Sequence, residues 1–212
     1  MPALKLHYFG LPGRGETARL CLTVGGIPFE DVVYEFSTWP ASKAKMPFGQ
    51  MPVLEVGEKM LAQSGAIERY TAKLAGLYPE DPLEAAEVDQ AMFLMSDFFE
   101  LFTPTFRLKA EEKVAARLAI LEGKGKDMLG HISKLLASGG YIAGGKLSLG
   151  DIAVYVSLSN LVSGFMDGVP KDLLDGYPVI KAFHNKIASE PAIKAYYETR
   201  GEGYRAAFKP SA

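Results

Sequence analysis

A single cysteine, Cys21, stands in a chain of 212 residues. One thiol closes no intrachain disulfide, which excludes a cross-linked secreted scaffold. The three histidines, His7, His131 and His184, lie far apart, without ligand-type spacing to one another or to Cys21. No metal centre is expected from them. Charge in excess is also missing: 23 Lys+Arg against 25 Asp+Glu leave a net charge of −2. That balance offers no concentrated basic face, so no nucleic-acid partner is expected. No apolar run approaches the roughly 20 residues of a membrane helix. The nearest, "IAVYVSLSNLVSGFM", is interrupted by serines and an asparagine and reads as a buried helix. The start, "MPALKLHYFG", has neither the basic opening nor the apolar core of a secretory leader. A reducing, cytoplasmic setting is the expectation. There is no G-x-S-x-G elbow either.

What is present is ordinary globular composition, 48% hydrophobic and 23% charged, enough for one large domain or two small ones. The two parts of the chain differ in period. Leu4, Leu6 and Tyr8 alternate with Lys5 and His7, as in a strand. "ETARLCLTV" gives a short helix, stopped by Gly25 and Gly26. "PFEDVVYEF" is a second strand, and the βαβ connection implies parallel pairing. "STWPASKAKMPFGQ" is irregular. "MPVLEV" and "MLAQ" flank a short turn and read as a hairpin. Ser64 is expected to cap the helix that follows and ends at Gly76. This βαβ-ββα order is that of a thioredoxin-like domain.

Beyond "YPEDPLEAAE" the strand signals fade, and long helical patterns take over. One runs to Pro104; another carries Gly123 and Gly125, which bend or break it. The fold class is therefore α/β plus all-α. The expected domains are residues 1–77, a linker at 78–83, and an all-helical domain at 84–212. Ser148-x-x-Asp151 has the form of a capping box, with Leu147 and Ile152 at the staple positions. It predicts a correctly started buried helix, a folding role.

"LKLHYFGLPGRGETARL" raises the question of a phosphate cradle. Gly10, Gly13 and Gly15 run in the wrong order for a dinucleotide fingerprint, and "GRGE" does not end a P-loop. Glu16 would repel phosphate. Where a disulfide-exchange enzyme places its reactive cysteine, this chain has Pro12, Gly13, Arg14 and Gly15. Cys21 falls on the apolar side of the helix and reads as a small core residue.

Together these segments resemble a cytosolic glutathione transferase of the tyrosine type. "YFGLPGRGE" resembles the start of its sigma-class members, a class that includes glutathione-dependent prostaglandin D synthases. "FGQMPVLEV" resembles the segment with the family's cis-proline, "LAQSGAIERY" its Gln-Ser before a helix, and "GGKLSLGDIAVY" its capping box. The resemblance spans nearly the whole chain in matching order.

The resemblance implies glutathione as co-substrate, no metal, and a homodimer that binds glutathione and a small apolar electrophile. It makes Tyr8 the catalytic hydroxyl and Arg14 its supporting cation. It assigns Gln63 and Ser64 to the γ-glutamyl carboxylate, and Met51, before a cis Pro52, to the cysteinyl backbone. Gln50 joins them. Trp39 and Lys43 match positions that hold the glycyl carboxylate, and Asp97 one that reaches the glutamyl amine across a dimer. The electrophile pocket would draw on Phe9, Gly13, Phe99, Pro104, Tyr155 and Tyr204. Phe93 and Ser96 stand where prostaglandin synthases of the class carry metal-binding carboxylates, so metal activation is not expected. The alternatives left open are a glutathione-dependent isomerase acting on an endoperoxide and a non-enzymatic, crystallin-like relative.

Overall fold

The computed structural model describes residues 2–211. The chain divides between Pro79 and Glu80 into two compact units. The first contains four strands and three helices: β1 (Leu4–Phe9), α1 (Glu16–Val24), β2 (Glu30–Tyr34), α2 (Trp39–Ser42), β3 (Val53–Val56), β4 (Lys59–Ala62) and α3 (Ser64–Leu74). The sheet order is β2-β1-β3-β4. β1 pairs parallel with β2, with Tyr8 opposite Val33, and antiparallel with β3, with Leu6 opposite Leu54. β3 and β4 form an antiparallel hairpin.

Strand alternation sorts β1 into two faces. Leu4 and Leu6 enter a core with Ala18 and Leu22 of α1, Leu54 of β3 and Ile67 of α3. Tyr8 shares their face by its spacing; Lys5, His7 and Phe9 take the other. α1 ends as the glycines predict: Gly26 adopts φ +62°, and the amide of Ile27 returns to the carbonyl of Leu22 at 2.9 Å.

Two local expectations change. "STWPASKAKMPFGQ" is not wholly irregular, because Trp39 opens a one-turn helix with Pro40 in its first turn, continued by a 3₁₀ turn at Lys43–Lys45. Ser64 is not the cap of α3 but its first residue; the cap position belongs to Gln63, whose side chain makes no capping bond.

The second unit is helical: α4 (Pro82–Glu100), α5 (Ala110–Glu122), α6 (Lys124–Leu135), α7 (Leu149–Val162), α8 (Pro178–Ala188) and α9 (Pro191–Arg200). The Asp81 carboxylate caps α4 by accepting from the amides of Leu83 and Glu84. Pro104 lies in a 3₁₀ turn, Thr103–Arg107, after α4. Gly123, at φ −104° and ψ −120°, breaks the pattern into α5 and α6. All of α7 except Ser157 and Asn160 is buried. Its capping box forms, with the Asp151 carboxylate accepting from the Ser148 amide at 2.9 Å and from the Ile142 amide at 2.9 Å. Burial raises the Asp151 pKa, against these hydrogen bonds, which lower it. Among the described residues no helix is long and apolar enough to cross a membrane.

Candidate active site

The site begins where β1 runs out. Tyr8 is 7% exposed, and its ring lies against the turn that follows it. A Cβ at Gly13 would stand 2.5 Å from the Tyr8 hydroxyl, and one at Gly15 would stand 2.6 Å from Tyr8 Cδ1. Gly13 also sits at φ +47°, which favours glycine. The two glycines thus form the seat of an aromatic ring.

The Arg14 amide donates to the Tyr8 hydroxyl at 2.9 Å. This fixes the oxygen and leaves its own hydrogen to be donated elsewhere. Burial raises the Tyr8 pKa, opposed by the Arg14 amide and by the charges of Arg14 and Arg19. The balance keeps the phenol protonated at neutral pH, as a hydrogen-bond donor must be.

Beneath the turn is an ion-pair network around a buried arginine that residue spacing alone did not single out. Arg19 has no exposed surface. Its guanidinium pairs with Glu16 at 2.9 Å and with Asp31 at 2.8 Å, and donates to the carbonyls of Leu11 at 3.1 Å and Phe9 at 3.0 Å. It also lies 5.6 Å from the centre of the Tyr8 ring. One cation therefore ties α1 to β2 and to both ends of the loop after Tyr8. Glu16 therefore does not repel phosphate as its charge alone suggested. Glu16 is fully buried and paired with Arg19, so its charge is not offered to a ligand. The glycine seat excludes the cradle instead. The i,i+3 Glu-x-x-Arg spacing was the available signal, but on a helix it reads first as a surface pair.

A small cleft in the first unit is lined by Arg14, Gln50, Met51, Pro52, Gln63 and Ser64, together with Phe48 and Ala62, which sequence reasoning had not nominated. The Met51–Pro52 bond is cis, as the family resemblance implied. Gln63 is the one non-glycine residue at positive φ among those described, at φ 74° and ψ 117°. Such a backbone costs of order 1–3 kcal/mol and persists where surrounding structure enforces it, commonly at binding sites. It turns the chain so that Gln63 and Ser64 meet the cleft at the N-terminus of α3, where amides lack helical partners. The Ser64 hydroxyl makes no hydrogen bond among the described residues. Glu68, one turn further along α3, has its carboxyl pushed up to about 7 by burial, despite the lowering charges of Arg69 and Arg14.

Trp39 and Lys43 do not line this cleft. Trp39 is half-buried at the start of α2, between the ring edges of Phe9 at 5.9 Å and Tyr34 at 6.3 Å. Its indole N–H has no partner among the described residues. Lys43 is exposed, its stem lying along Gly49. Phe9 also stacks on Phe36 at 4.3 Å. Cys21 is fully buried, and that burial drives its thiol pKa upward, which suits a core residue. His7 and His184 are buried in hydrogen bonds, His184 Nε2 lying 2.9 Å from Ser159 Oγ.

In the helical unit, Asp97 and Pro104 are exposed, Phe99 is half-buried against Phe98 and Phe102, and Tyr204 is 44% exposed. Tyr155 departs from the pocket expectation. It has no exposed surface, and its hydroxyl donates to the carbonyl of Phe208. Its position near the middle of a helix buried on all sides makes it core.

The chain matches the family model described as Glutathione S-transferase, N-terminal domain, over residues 4–73, and that of the C-terminal domain over residues 96–200. It is 35% identical to glutathione S-transferase 1 of Ascaris suum, an alignment covering 94% of this chain and 98% of that one. Among solved structures it resembles prostaglandin synthase D of Nilaparvata lugens, with TM-score 0.85 and 35% identity over 94% of this chain and 98% of that one. It also resembles the sigma class enzyme of Fasciola hepatica, with TM-score 0.84 and 28% identity over 96% and 99%.

Proposed function

The chain belongs to the glutathione S-transferase family, and from that premise we propose that it conjugates reduced glutathione to apolar electrophiles through Tyr8. The observation that supports this best is the buried, protonated Tyr8 hydroxyl, held by the Arg14 amide at 2.9 Å with its own hydrogen free to donate. A thiol has a pKa near 8.5 and is mostly protonated at pH 7; lowering it by about two units requires roughly 2.7 kcal/mol in favour of the thiolate. A hydrogen bond to a charged group supplies about 1.5–3 kcal/mol. One phenol, left un-ionised, accounts for most of that. The Arg14 side chain and the start of α1 supply the rest, the latter at a few tenths to about 1 kcal/mol.

Glutathione lies along the cleft. Its γ-glutamyl carboxylate takes the Gln63 and Ser64 end, its cysteinyl backbone pairs with Met51 before the cis Pro52, and Gln50 flanks it. Trp39 and Lys43 hold the glycyl carboxylate. The thiolate attacks an electrophilic carbon. In substitution the carbon–sulfur bond forms as a leaving group departs with its electron pair; in Michael addition the resulting carbanion takes a proton. Positioning and electrostatic stabilisation do the work, with the ligand as nucleophile.

The finer reading is of a cytoplasmic homodimer in which Asp97 of one protomer meets the glutamyl amine bound by the other. Phe9 and Gly13 contribute to the electrophile pocket. A second activity is favoured by one observation, the 35% identity to a prostaglandin synthase D structure: the same thiolate acting on an endoperoxide.

Tyr8→Phe tests the central role. Affinity for glutathione should survive, while turnover of 1-chloro-2,4-dinitrobenzene falls about 10- to 150-fold, the equivalent of the lost hydrogen bond. Unchanged turnover would remove Tyr8 from the mechanism. Product analysis with prostaglandin H2 separates the isomerase.

A further inference from the structure

The sheet face opposite the α1–α3 core carries a polar chain that the catalytic reading leaves unused. Lys5 and His7 of β1, Glu55 of β3 and Tyr34 of β2 share that face by strand register. His7 is only 7% exposed, and its ring stands between two partners. Nε2 lies 3.2 Å from a carboxylate oxygen of Glu55, and Nδ1 lies 3.1 Å from the Tyr34 hydroxyl. A carboxylate only accepts, so Nε2 carries hydrogen and donates to it; in that tautomer Nδ1 is the acceptor for the Tyr34 O–H. Glu55 is anchored in turn by Lys5 at 3.1 Å. Lys5 first, and then His7, hold its carboxyl below the usual range, so it remains an acceptor.

Tyr34 passes this order on. Its ring meets Trp39 edge-on, at 6.3 Å and 82°, while Phe9 meets the same indole at 5.9 Å and 80°. Two edges fix the plane of the indole, and the indole N–H has no partner among the described residues.

We propose that His7 and Tyr34 are positioning residues for the glycyl end of glutathione. The chain Lys5–Glu55–His7–Tyr34 sets the tilt of Trp39, so that its free N–H is aimed before the ligand's glycyl carboxylate arrives. This rests on the reading of Trp39 as a carboxylate donor. Preorganisation of this kind lowers the ordering cost of binding and leaves the reacting thiol untouched.

Tyr34→Phe removes one hydroxyl and keeps the ring, so the sheet and the edge contact remain. Trp39 is the only tryptophan, and its fluorescence anisotropy reports its mobility without a label. The expected results are lower anisotropy and a KM for glutathione raised roughly three- to tenfold, the value of one hydrogen bond, with kcat unchanged. With γ-glutamylcysteine, which lacks the glycyl residue, wild type and variant should have the same KM. An unchanged KM for glutathione, or an equal penalty with the dipeptide, overturns the proposal. Trp39→Phe separates the two layers. If it raises the glutathione KM while Tyr34→Phe does not, the relay fails and the Trp39 reading stands. If Trp39→Phe leaves the KM unchanged, the donor reading fails and the relay falls with it.

Discussion

Gly15→Ala adds one methyl group against the Tyr8 ring. The backbone tolerates it, since Gly15 has φ −89° and ψ −17°, ordinary values for alanine. The new Cβ would nevertheless stand 2.6 Å from Tyr8 Cδ1 and 2.8 Å from Cγ. Carbon–carbon contact is comfortable from about 3.5 Å, so the ring or the turn must retreat by roughly 1 Å. Overpacking of this kind costs about 1–3 kcal/mol of stability. A displacement of about 1 Å at a catalytic group costs on the order of 100-fold in rate. The expected outcome is a folded protein that binds glutathione and has kcat/KM for 1-chloro-2,4-dinitrobenzene lowered by up to that factor. Its pH profile should shift upward as the bound thiol loses its donor. Stopped-flow titration of the thiolate absorbance measures that shift directly. The double variant Tyr8→Phe/Gly15→Ala should be little worse than Tyr8→Phe, because both act through one hydroxyl. Wild-type turnover and an unshifted profile in a folded Gly15→Ala protein would refute the claim that these glycines exist to seat Tyr8.

Two further outcomes follow from buried charge in the first unit. Arg19→Met leaves Glu16 without its ion-pair partner in a fully buried position, and should cost about 3–5 kcal/mol in denaturant unfolding; a loss under 1 kcal/mol would contradict the network's role. Glu68 has a folded pKa of about 7 against an ordinary 4.5. Its folded state therefore binds more protons between those values, and stability falls as pH rises through that window. Glu68→Gln should raise Tm at pH 8, by about 1–3 kcal/mol of stability, and leave it nearly unchanged at pH 4; an equal gain at both pH values would rule out titration as the cause.

Much of the fold was legible because its signals are local in sequence. The alternation in Leu4–Tyr8, the glycines that stop α1 and break the pattern at 123, and the Ser148–Asp151 box each act within a few residues. The cis Met51–Pro52 bond came only from resemblance, since about 5–6% of such bonds are cis and spacing offers no signal. Ser64 was misread as a cap because Ser commonly caps helices. The backbone at Gln63, at φ 74°, takes the cap position instead and brings Ser64 into the first turn. Tyr155 was nominated for a pocket that its burial and its bond to the Phe208 carbonyl give to the core. That bond joins residues 53 positions apart, beyond the reach of periodicity.

By itself, then, the order of residues determined a βαβ-ββα unit followed by helices, with a tyrosine at the end of the first strand. Periodicity, turn residues and caps are short-range forces written in neighbouring positions. Only the tertiary structure decided why that tyrosine is positioned as it is. It packs the ring on two glycines, bonds its oxygen to the Arg14 amide, and places Arg19 beneath the loop with Glu16 and Asp31 as counter-charges. It also turned Lys5, His7, Glu55 and Tyr34 into a chain leading to Trp39. Those relations join residues from different strands and helices, and burial made them strong: a cation and a phenol behave as they do here because folding removed the water around them.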